Sequence, residues 1–469
     1  MPKTKILMIQ LQNAPYFGTA YLNSAVKAAG YKFGLLLSNQ TSEIITHIAK
    51  EKPNIIGISC MSCFVKETIQ ICDSIKKVYD IPIVLGGPHP TLFPDIINEK
   101  SIDIICRGEG EFATVDLLAA IDKKKSYLHI KNLWVKSKNK IYKNPLRPLV
   151  NPLDKVPLID WSCYKNTAVL HNAPTVSLIR GCPFNCSYCF NQTTRQLYQG
   201  LGPYIRHFSV ERSIKEIKAA LKYFSHSPLI FNSDTYGIDL PWMDKVLKAY
   251  SKITDLPFVL ILRPELVTQE CVNIIAKYKC YSVAIGVESG SPRMRHEILN
   301  RHYQNQLLLD VAKRLHKKNI KFRTYNMIGL PTETEKEMWQ TIDINIKMKT
   351  DFPRAAIFTP FPGTKIVDLA IDKGYLKSNF SFNDLPDTIL DRSVLKKIDR
   401  AKIQNTLFFF QSAIIFPQFR NLFKKLINIK PNILFRLWFY FIYAHLHRTF
   451  ENRKLLDYLR YLYANRHYR

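Results

Sequence analysis

Twice along this chain, short apolar runs alternate with stretches of helical period, and that rhythm restricts the fold more than any other feature. In the first part, apolar runs at 5–11, 33–37, 55–60, 83–85 and 102–106 are separated by helical stretches at 20–29, 42–50, 65–78 and 112–121. Short strands alternating with helices at this spacing build a parallel sheet wrapped by helices. Over 171–385 the rhythm returns. Strands are predicted at 175–179, 229–232, 258–262, 283–286, 322–328 and 355–359, with helices at 210–224, 242–253, 269–279, 306–318 and 333–349. Six such units predict a partial (βα)₆ barrel, whose active site belongs on the loops at the carboxyl ends of its strands. The fold class is therefore α/β: a Rossmann-like parallel-sheet domain at 1–125, a linker at 126–170, the barrel at 171–385 and a helical C-terminal region at 386–469. Pro145, Pro148, Pro152 and Pro157 punctuate the linker, which also holds a small hairpin near 133–142.

Ten cysteines in 469 residues do not make a disulfide scaffold. Three of them sit in one loop after the first barrel strand, Arg180-Gly181-Cys182-Pro183-Phe184-Asn185-Cys186-Ser187-Tyr188-Cys189. Thiolates are the usual ligands of iron–sulfur clusters, and close spacing lets one loop supply several. A cubane held by Cys182, Cys186 and Cys189 alone keeps one iron open, and an open metal position is where a substrate can coordinate. Structural zinc wants four ligands, typically as two separated pairs, and no partner pair lies nearby in the sequence. The N-terminal run is too short and broken for a signal peptide. No stretch reaches the ~18 uninterrupted apolar residues of a spanning helix, so the cytoplasm is the expected location.

The loop resembles the cluster motif of the radical S-adenosylmethionine (SAM) superfamily, with Tyr188 at its aromatic position before the last cysteine. The resemblance implies a [4Fe–4S] cluster whose open iron chelates the amino and carboxylate groups of SAM. An external one-electron reductant then drives cleavage to methionine and a 5′-deoxyadenosyl radical, which removes hydrogen from carbon. Further motifs match in order: Phe231-Asn232-Ser233-Asp234-Thr235 after the second strand, Gly286-Val287-Glu288-Ser289-Gly290 at the end of the fourth, Met327-Ile328-Gly329-Leu330-Pro331-Thr332-Glu333-Thr334 after the fifth, and Thr359-Pro360-Phe361-Pro362-Gly363-Thr364 at the sixth. They imply SAM contacts at Tyr188, Asn232, Glu288, Ser289 and Pro360. No protein side chain is assigned a catalytic role.

In the N-terminal domain, Gly86-Gly87-Pro88-His89-Pro90-Thr91 and Gly108-Glu109-Gly110-Glu111 follow strands, at the end where open parallel sheets receive ligands. This arrangement is similar to the cobalamin-binding domain that precedes the barrel in one radical SAM subgroup. The likeness implies a cobalamin contacted by Gly86, Gly87, His89, Gly108 and Glu109, and methylation of an unactivated carbon. No D-x-H-x-x-G run is present, so His89 reads as a loop-shaping residue rather than a cobalt ligand. Cys60, Cys63, Cys72 and Cys106 read as packing residues, two of them ending apolar strands. The rival readings are a cyclase, rearrangement or coupling enzyme with the same cofactors, a tRNA methylthiotransferase, and a non-catalytic cobalamin- or metal-binding module.

The formal charge is +29, which favours an anionic partner. From 401 on, twelve basic residues face two acidic ones, among dense aromatics. Such a segment suits peripheral membrane contact through 401–469, a helical cap on the barrel, or nucleic acid, the last being disfavoured. The substrate expected is a small molecule or a lipid.

Overall fold

The computed structural model describes residues 4–165, 167–171, 173–224, 228–385 and 393–451. It divides into two compact units: Met1–Gly181 with Thr193–His226, and Cys182–Gln192 with Ser227–His467. The C-terminal residues 452–469, with five of the twelve basic residues noted above, lie outside the described residues.

In the first unit, strands β1 (Lys5–Gln10), β2 (Lys32–Leu37), β3 (Ile55–Ser59), β4 (Ile83–Gly86) and β5 (Ile104–Cys106) pair in parallel, in the order β2-β1-β3-β4-β5. The chain leaves β1 in one direction for β2 and returns on its other side for β3, which makes a topological switch point, where such sheets bind ligands. The strands read as continuous apolar runs because helices cover both faces. Ile6, Met8, Val26, Ile55, Val84, Ile104 and Leu117 share one core cluster.

The segment expected to be a loose linker is packed instead. Its hairpin, Leu133–Ser137 with Lys140–Lys143, extends the sheet antiparallel beyond β5. Trp161 and Tyr164 are buried at 1% and 0% exposure. The Tyr164 hydroxyl donates to Gln10 Oε1 at 2.7 Å, and Asn23 Nδ2 donates to the Asp160 carbonyl at 2.8 Å. Prolines correctly marked the absence of regular structure, but two large aromatic rings supply enough apolar area to dock an irregular segment. The strand expected at 175–179 is two short pieces, Thr175–Val176 and Ile179–Arg180, the second pairing antiparallel with Arg206–His207.

The second unit holds the strands Leu229–Phe231, Phe258–Leu262, Cys280–Glu288, Lys321–Ile328 and Phe352–Ile357, each parallel to its predecessor. Helices Leu240–Tyr250, Gln269–Lys277, Asn305–Lys317 and Glu335–Met348 connect them. Sequential parallel neighbours joined by helices are the winding of a βα barrel. Glu335–Met348 starts with a capping box between Thr334 and Glu337. The C-terminal region is helical, with Arg400–Ile415, Arg420–Leu426 and Ile433–Phe450.

Candidate functional site

The cluster loop belongs to the second unit and is tied down from both flanks. Ser187 N–H donates to the Leu299 carbonyl at 3.1 Å, the Ile366 N–H donates to the Ser187 carbonyl at 3.0 Å, and Asn300 Nδ2 donates to the Asn185 carbonyl at 2.7 Å. The loop's backbone is therefore fixed by segments that follow the fourth and sixth strands. Cys182 and Cys186 are buried and Cys189 is half-buried. Burial raises the pKa of the Cys182 and Cys189 thiols, Cys182 up to about 11, and the neighbouring thiols add to the rise. Ligation must supply their deprotonation. Among the described residues no three His, Cys, Asp or Glu side chains converge on one ion-sized point. A cubane does not ask for that, because each thiolate takes a different iron and the donors surround a volume.

Around the thiols lies a buried network of opposite charges. Arg263 follows the strand Phe258–Leu262 and donates to Cys186 Sγ at 2.7 Å, with its guanidinium 3.7 Å from the Phe184 ring centre. It also pairs with Glu265. Tyr188 donates its hydroxyl to Glu288 Oε1 at 3.0 Å, and Arg301, 2% exposed, donates to the same oxygen at 3.0 Å. Burial raises the Glu288 carboxyl above its ordinary value and outweighs the opposing pull of Arg301 and Tyr188. Glu288 takes a φ of +65°, left-handed backbone that costs strain for a residue with a Cβ.

The network is incompletely satisfied. Arg263 Nε, Arg301 Nε and Nη2, and Glu265 Oε2 are buried without a hydrogen bond. Arg301 Nη2 and Glu265 Oε2 are 3.7 Å apart, which gives Coulomb attraction but no hydrogen bond. Buried orphans of both signs beside the thiols fit a polar, zwitterionic ligand such as SAM. Aromatic rings shield the place: Phe190 and Phe361, the latter next to Pro360, are 6.2 Å apart.

The remaining expected SAM residues are placed unequally. Pro360 is buried three residues past the last strand, and Asn232 is exposed directly after Leu229–Phe231. Ser289 is fully buried and engaged internally, 3.4 Å from Thr341 Oγ1 and accepting from the Ser291 N–H. Sequence reading did not single out Arg263, Glu265 or Arg301. The first two carried a usable signal, charged residues at the carboxyl end of an apolar barrel strand. Arg301 carried none, because it reaches Glu288 from beyond a π-helical turn, Met294–Ile298. Glu333, in the loop after the fifth strand, accepts from the N–H groups of Gly329 and Leu330, and burial pushes its carboxyl up to about 8.

In the first unit, Gly86 closes β4, and a Cβ there would meet nothing within 4 Å. Gly87 has φ +98°, and a Cβ would lie 3.1 Å from the Cys60 carbonyl oxygen. His89 is buried, its Nδ1 3.2 Å from Ser62 Oγ and its ring 5.3 Å from Phe93. Burial lowers its pKa to about 4, so it is neutral at physiological pH. The second turn is used differently. Gly108 leaves room for the Tyr198 hydroxyl, which a Cβ would strike at 1.6 Å. Glu109 accepts from Arg180 Nη1 at 2.8 Å, Arg206 Nη2 at 2.8 Å and the Val150 N–H at 2.9 Å. Arg180 also pairs with Glu111 at 2.8 Å. The open space above Gly86 and the switch-point order fit a cofactor received by backbone and shape, with no free histidine offered by this turn. Cys60, Cys72 and Cys106 are buried as packing residues, and burial pushes the thiols of Cys60 and Cys106 up to about 12, whereas Cys63, also expected to pack, is exposed.

A barrel unit with three thiols in the loop after its first strand, beside charged groups left unpaired, defines a metallocofactor enzyme. Family comparison agrees. The model of the Radical SAM superfamily matches residues 176–344, and that of the B12 binding domain matches residues 11–118. The chain belongs to the radical SAM superfamily, in the group that carries an N-terminal B12-binding domain. Its cofactors are a [4Fe–4S] cluster, SAM and cobalamin. An uncharacterized methyltransferase of Pyrococcus horikoshii is 28% identical over 374 residues, covering 77% of this chain and 80% of the relative. The anaerobic magnesium-protoporphyrin IX monomethyl ester cyclase of Rubrivivax gelatinosus is 23% identical over 441 residues, covering 86% and 75%. Among solved structures, the cobalamin-dependent SAM radical enzyme OxsB aligns with TM-score 0.69 at 16% identity, over 96% of this chain and 72% of that one. The radical SAM methyltransferase TsrM from Kitasatospora setae aligns with TM-score 0.65 at 14% identity, over 79% and 78%. These two likenesses establish the fold.

Proposed function

We propose that this protein is a cobalamin-dependent methyltransferase that acts on an unactivated carbon of a small-molecule or lipid substrate. The observation that carries the reading is the pairing of a B12-binding domain with a cluster loop in one chain, and the relative named as a methyltransferase supports it. When bound, the cluster and SAM supply a carbon-centred radical, and cobalamin supplies a transferable methyl group. Cys182, Cys186 and Cys189 hold three irons. Arg263 holds the Cys186 sulfur in place. Arg301, Glu265 and Glu288 offer charges of both signs to the zwitterionic end of SAM, while Tyr188, Asn232, Ser289 and Pro360 complete its surroundings. Phe184, Phe190 and Phe361 keep water from the radical. Gly86 and Gly87 receive cobalamin on backbone, with His89 shaping the loop, and Gly108 and Glu109 bracing the neighbouring turn. The electron comes from an external reductant, in keeping with a cytoplasmic location.

The test is the SAM product pattern of the anaerobically reconstituted enzyme with extract-derived substrate pools. Methyl transfer predicts S-adenosylhomocysteine and 5′-deoxyadenosine together, the former only with cobalamin present. 5′-Deoxyadenosine without S-adenosylhomocysteine would favour the second reading, a ring-forming or coupling reaction, which the likeness to the Rubrivivax cyclase supports. The chain is also 24% identical over 381 residues to a tRNA-2-methylthio-N(6)-dimethylallyladenosine synthase of Clostridium botulinum. Against that activity stand the helical C-terminal region among the described residues and the burial of Cys60, Cys72 and Cys106.

A further inference from the structure

The helical region after the barrel presents two unlike surfaces. Helix Arg400–Ile415 is core: Ile403, Leu407, Phe409, Phe410, Ala413 and Ile414 share a cluster with Ile328, Ile342 and Ile357 of the barrel. Gln411 Nε2 donates to the Pro353 carbonyl at 2.9 Å. This helix is a cap. Helix Ile433–Phe450 packs on it by one side only, with Phe435 4.8 Å from Phe409 and Phe439 5.9 Å from Phe408. On another side Leu434, Leu437 and Phe441 recur at i, i+3 and i+7 and are 71%, 56% and 63% exposed; Trp438 at their edge is 41% exposed, its indole N–H donating to Ser412 Oγ of the cap helix at 2.8 Å. Phe419, Leu422, Ile429 and Ile433 are also about half exposed or more. Ten of the fifteen large hydrophobic side chains exposed among the described residues fall within 415–441. Single exposed hydrophobics need no explanation, but a contiguous set does.

The charge around this face is one-sided. Residues 415–450 contain six Lys or Arg and no Asp or Glu. Arg420 is paired with Asp343 and Lys424 lies over the Trp339 ring, while Lys425 and Lys430 are exposed. An apolar face rimmed by cations meets an anionic lipid surface favourably on both counts. A second copy would bring the same cations to the same patch, since a two-fold contact is self-complementary. Nucleic acid would match the charge but leave the aliphatic Ile433, Leu434 and Leu437 without a stacking role. No helix among the described residues is long and apolar enough to cross a membrane, so the helix would lie in the interface.

We propose that helix Ile433–Phe450, with the preceding turn from Phe419 to Lys430, docks this enzyme on an anionic membrane surface, Leu434, Leu437, Trp438 and Phe441 entering the headgroup boundary. The proposal is independent of the reaction assigned above. The test is sedimentation of the full-length holoenzyme with phosphatidylcholine vesicles, with and without phosphatidylglycerol. Wild type is expected to sediment only with the anionic vesicles, less so at high salt, with a blue shift of tryptophan emission that W438F removes. Lys425→Glu with Lys430→Glu should weaken partitioning by roughly 100-fold, and Leu437→Glu with Phe441→Glu should abolish it. Circular dichroism and SAM cleavage in vesicle-free buffer should be unchanged in both variants. No association with anionic vesicles would overturn the proposal. So would a dimer that L437E/F441E converts to monomer, or tRNA binding lost in the same variants without any vesicle binding.

Discussion

Two buried carboxylates, Glu288 in the barrel unit and Glu109 in the N-terminal unit, are each paired with arginine, yet their environments push them in opposite directions. Burial would raise Glu109, but the hydrogen bond from Arg206 and the charges of Arg180 and Arg206 outweigh it and hold the carboxyl below its ordinary value. At Glu288 burial wins and the carboxyl is raised. The difference lies in how fully the surrounding groups are matched. Both Glu109 oxygens accept hydrogen bonds from cationic groups or a backbone N–H, and among the described residues the buried atom left unpaired beside them is a single one, Arg206 Nε. Around Glu288, arginine nitrogens and a Glu265 oxygen stay unpaired. A carboxylate matched at both oxygens acts as a brace, whereas orphans of both signs beside Glu288 suit the binding role proposed for that place.

The largest effect that could break this contrast is at the thiols. Replacing Cys182, Cys186 or Cys189 with Ala should remove the broad iron–sulfur absorbance after anaerobic reconstitution, because three thiolates are the protein's whole ligand set. A variant that keeps full absorbance would show that another residue ligates.

Next comes the brace. Glu109→Ala takes the carboxylate from Arg206, whose side chain is 5% exposed, and leaves Arg180, at 22%, with Glu111. Loss of one partner of a buried pair costs about 3–5 kcal/mol, read as a lowered urea midpoint. The pH dependence follows from the direction of the shift. Glu109's folded pKa lies below its unfolded value, so its contribution is fully present above that unfolded value, roughly pH 4.3, and fades as pH falls through the folded pKa. Glu109→Gln should flatten stability against pH in that acidic window. Glu288→Gln, by contrast, should leave the urea midpoint within about 1 kcal/mol and weaken SAM binding, measured by equilibrium dialysis. Equal loss of stability in both variants would erase the distinction between brace and receptor.

A smaller change is expected at Arg263→Gln, which removes a charged donor from the Cys186 sulfur. A hydrogen bond involving a charged group is worth ~1.5–3 kcal/mol, so the one-electron cluster potential should fall by roughly 60–130 mV. An unchanged potential would mean that the contact does not persist beside the cluster. The smallest effect is at His89. Its ring is buried and hydrogen-bonded to Ser62, so His89→Ala should leave about one cobalt per chain and the same cobalt(II) paramagnetic spectrum, free of axial nitrogen splitting. Splitting in wild type that the variant loses would make His89 a ligand.

The sheet order and barrel winding were legible because apolar runs and helical periods survive in the sequence wherever both faces of a strand are buried. The cluster loop was legible because its three ligands are close in sequence. Less visible was anything that depends on residues far apart meeting. Arg301 reaches Glu288 by way of a π-helical turn. Glu109, read from its Gly-rich turn as a cofactor residue, is also the partner of Arg180 and Arg206, 71 and 97 positions away. The linker misled for a related reason: prolines report local backbone, while the burial of Trp161 and Tyr164 is tertiary. In the C-terminal region, composition alone left a cap and an interface undivided; packing makes Arg400–Ile415 a cap and leaves an exposed apolar face on Ile433–Phe450.

SAM cleavage at the thiol loop and its unpaired charges can be read from the products of a single anaerobic incubation. Wild-type protein with a full complement of iron and sulfide, incubated anaerobically with dithionite and SAM, should yield 5′-deoxyadenosine and methionine in equal amounts by mass spectrometry, with none from the triple cysteine variant. A wild-type enzyme carrying its intact cluster that forms no 5′-deoxyadenosine would contradict the account.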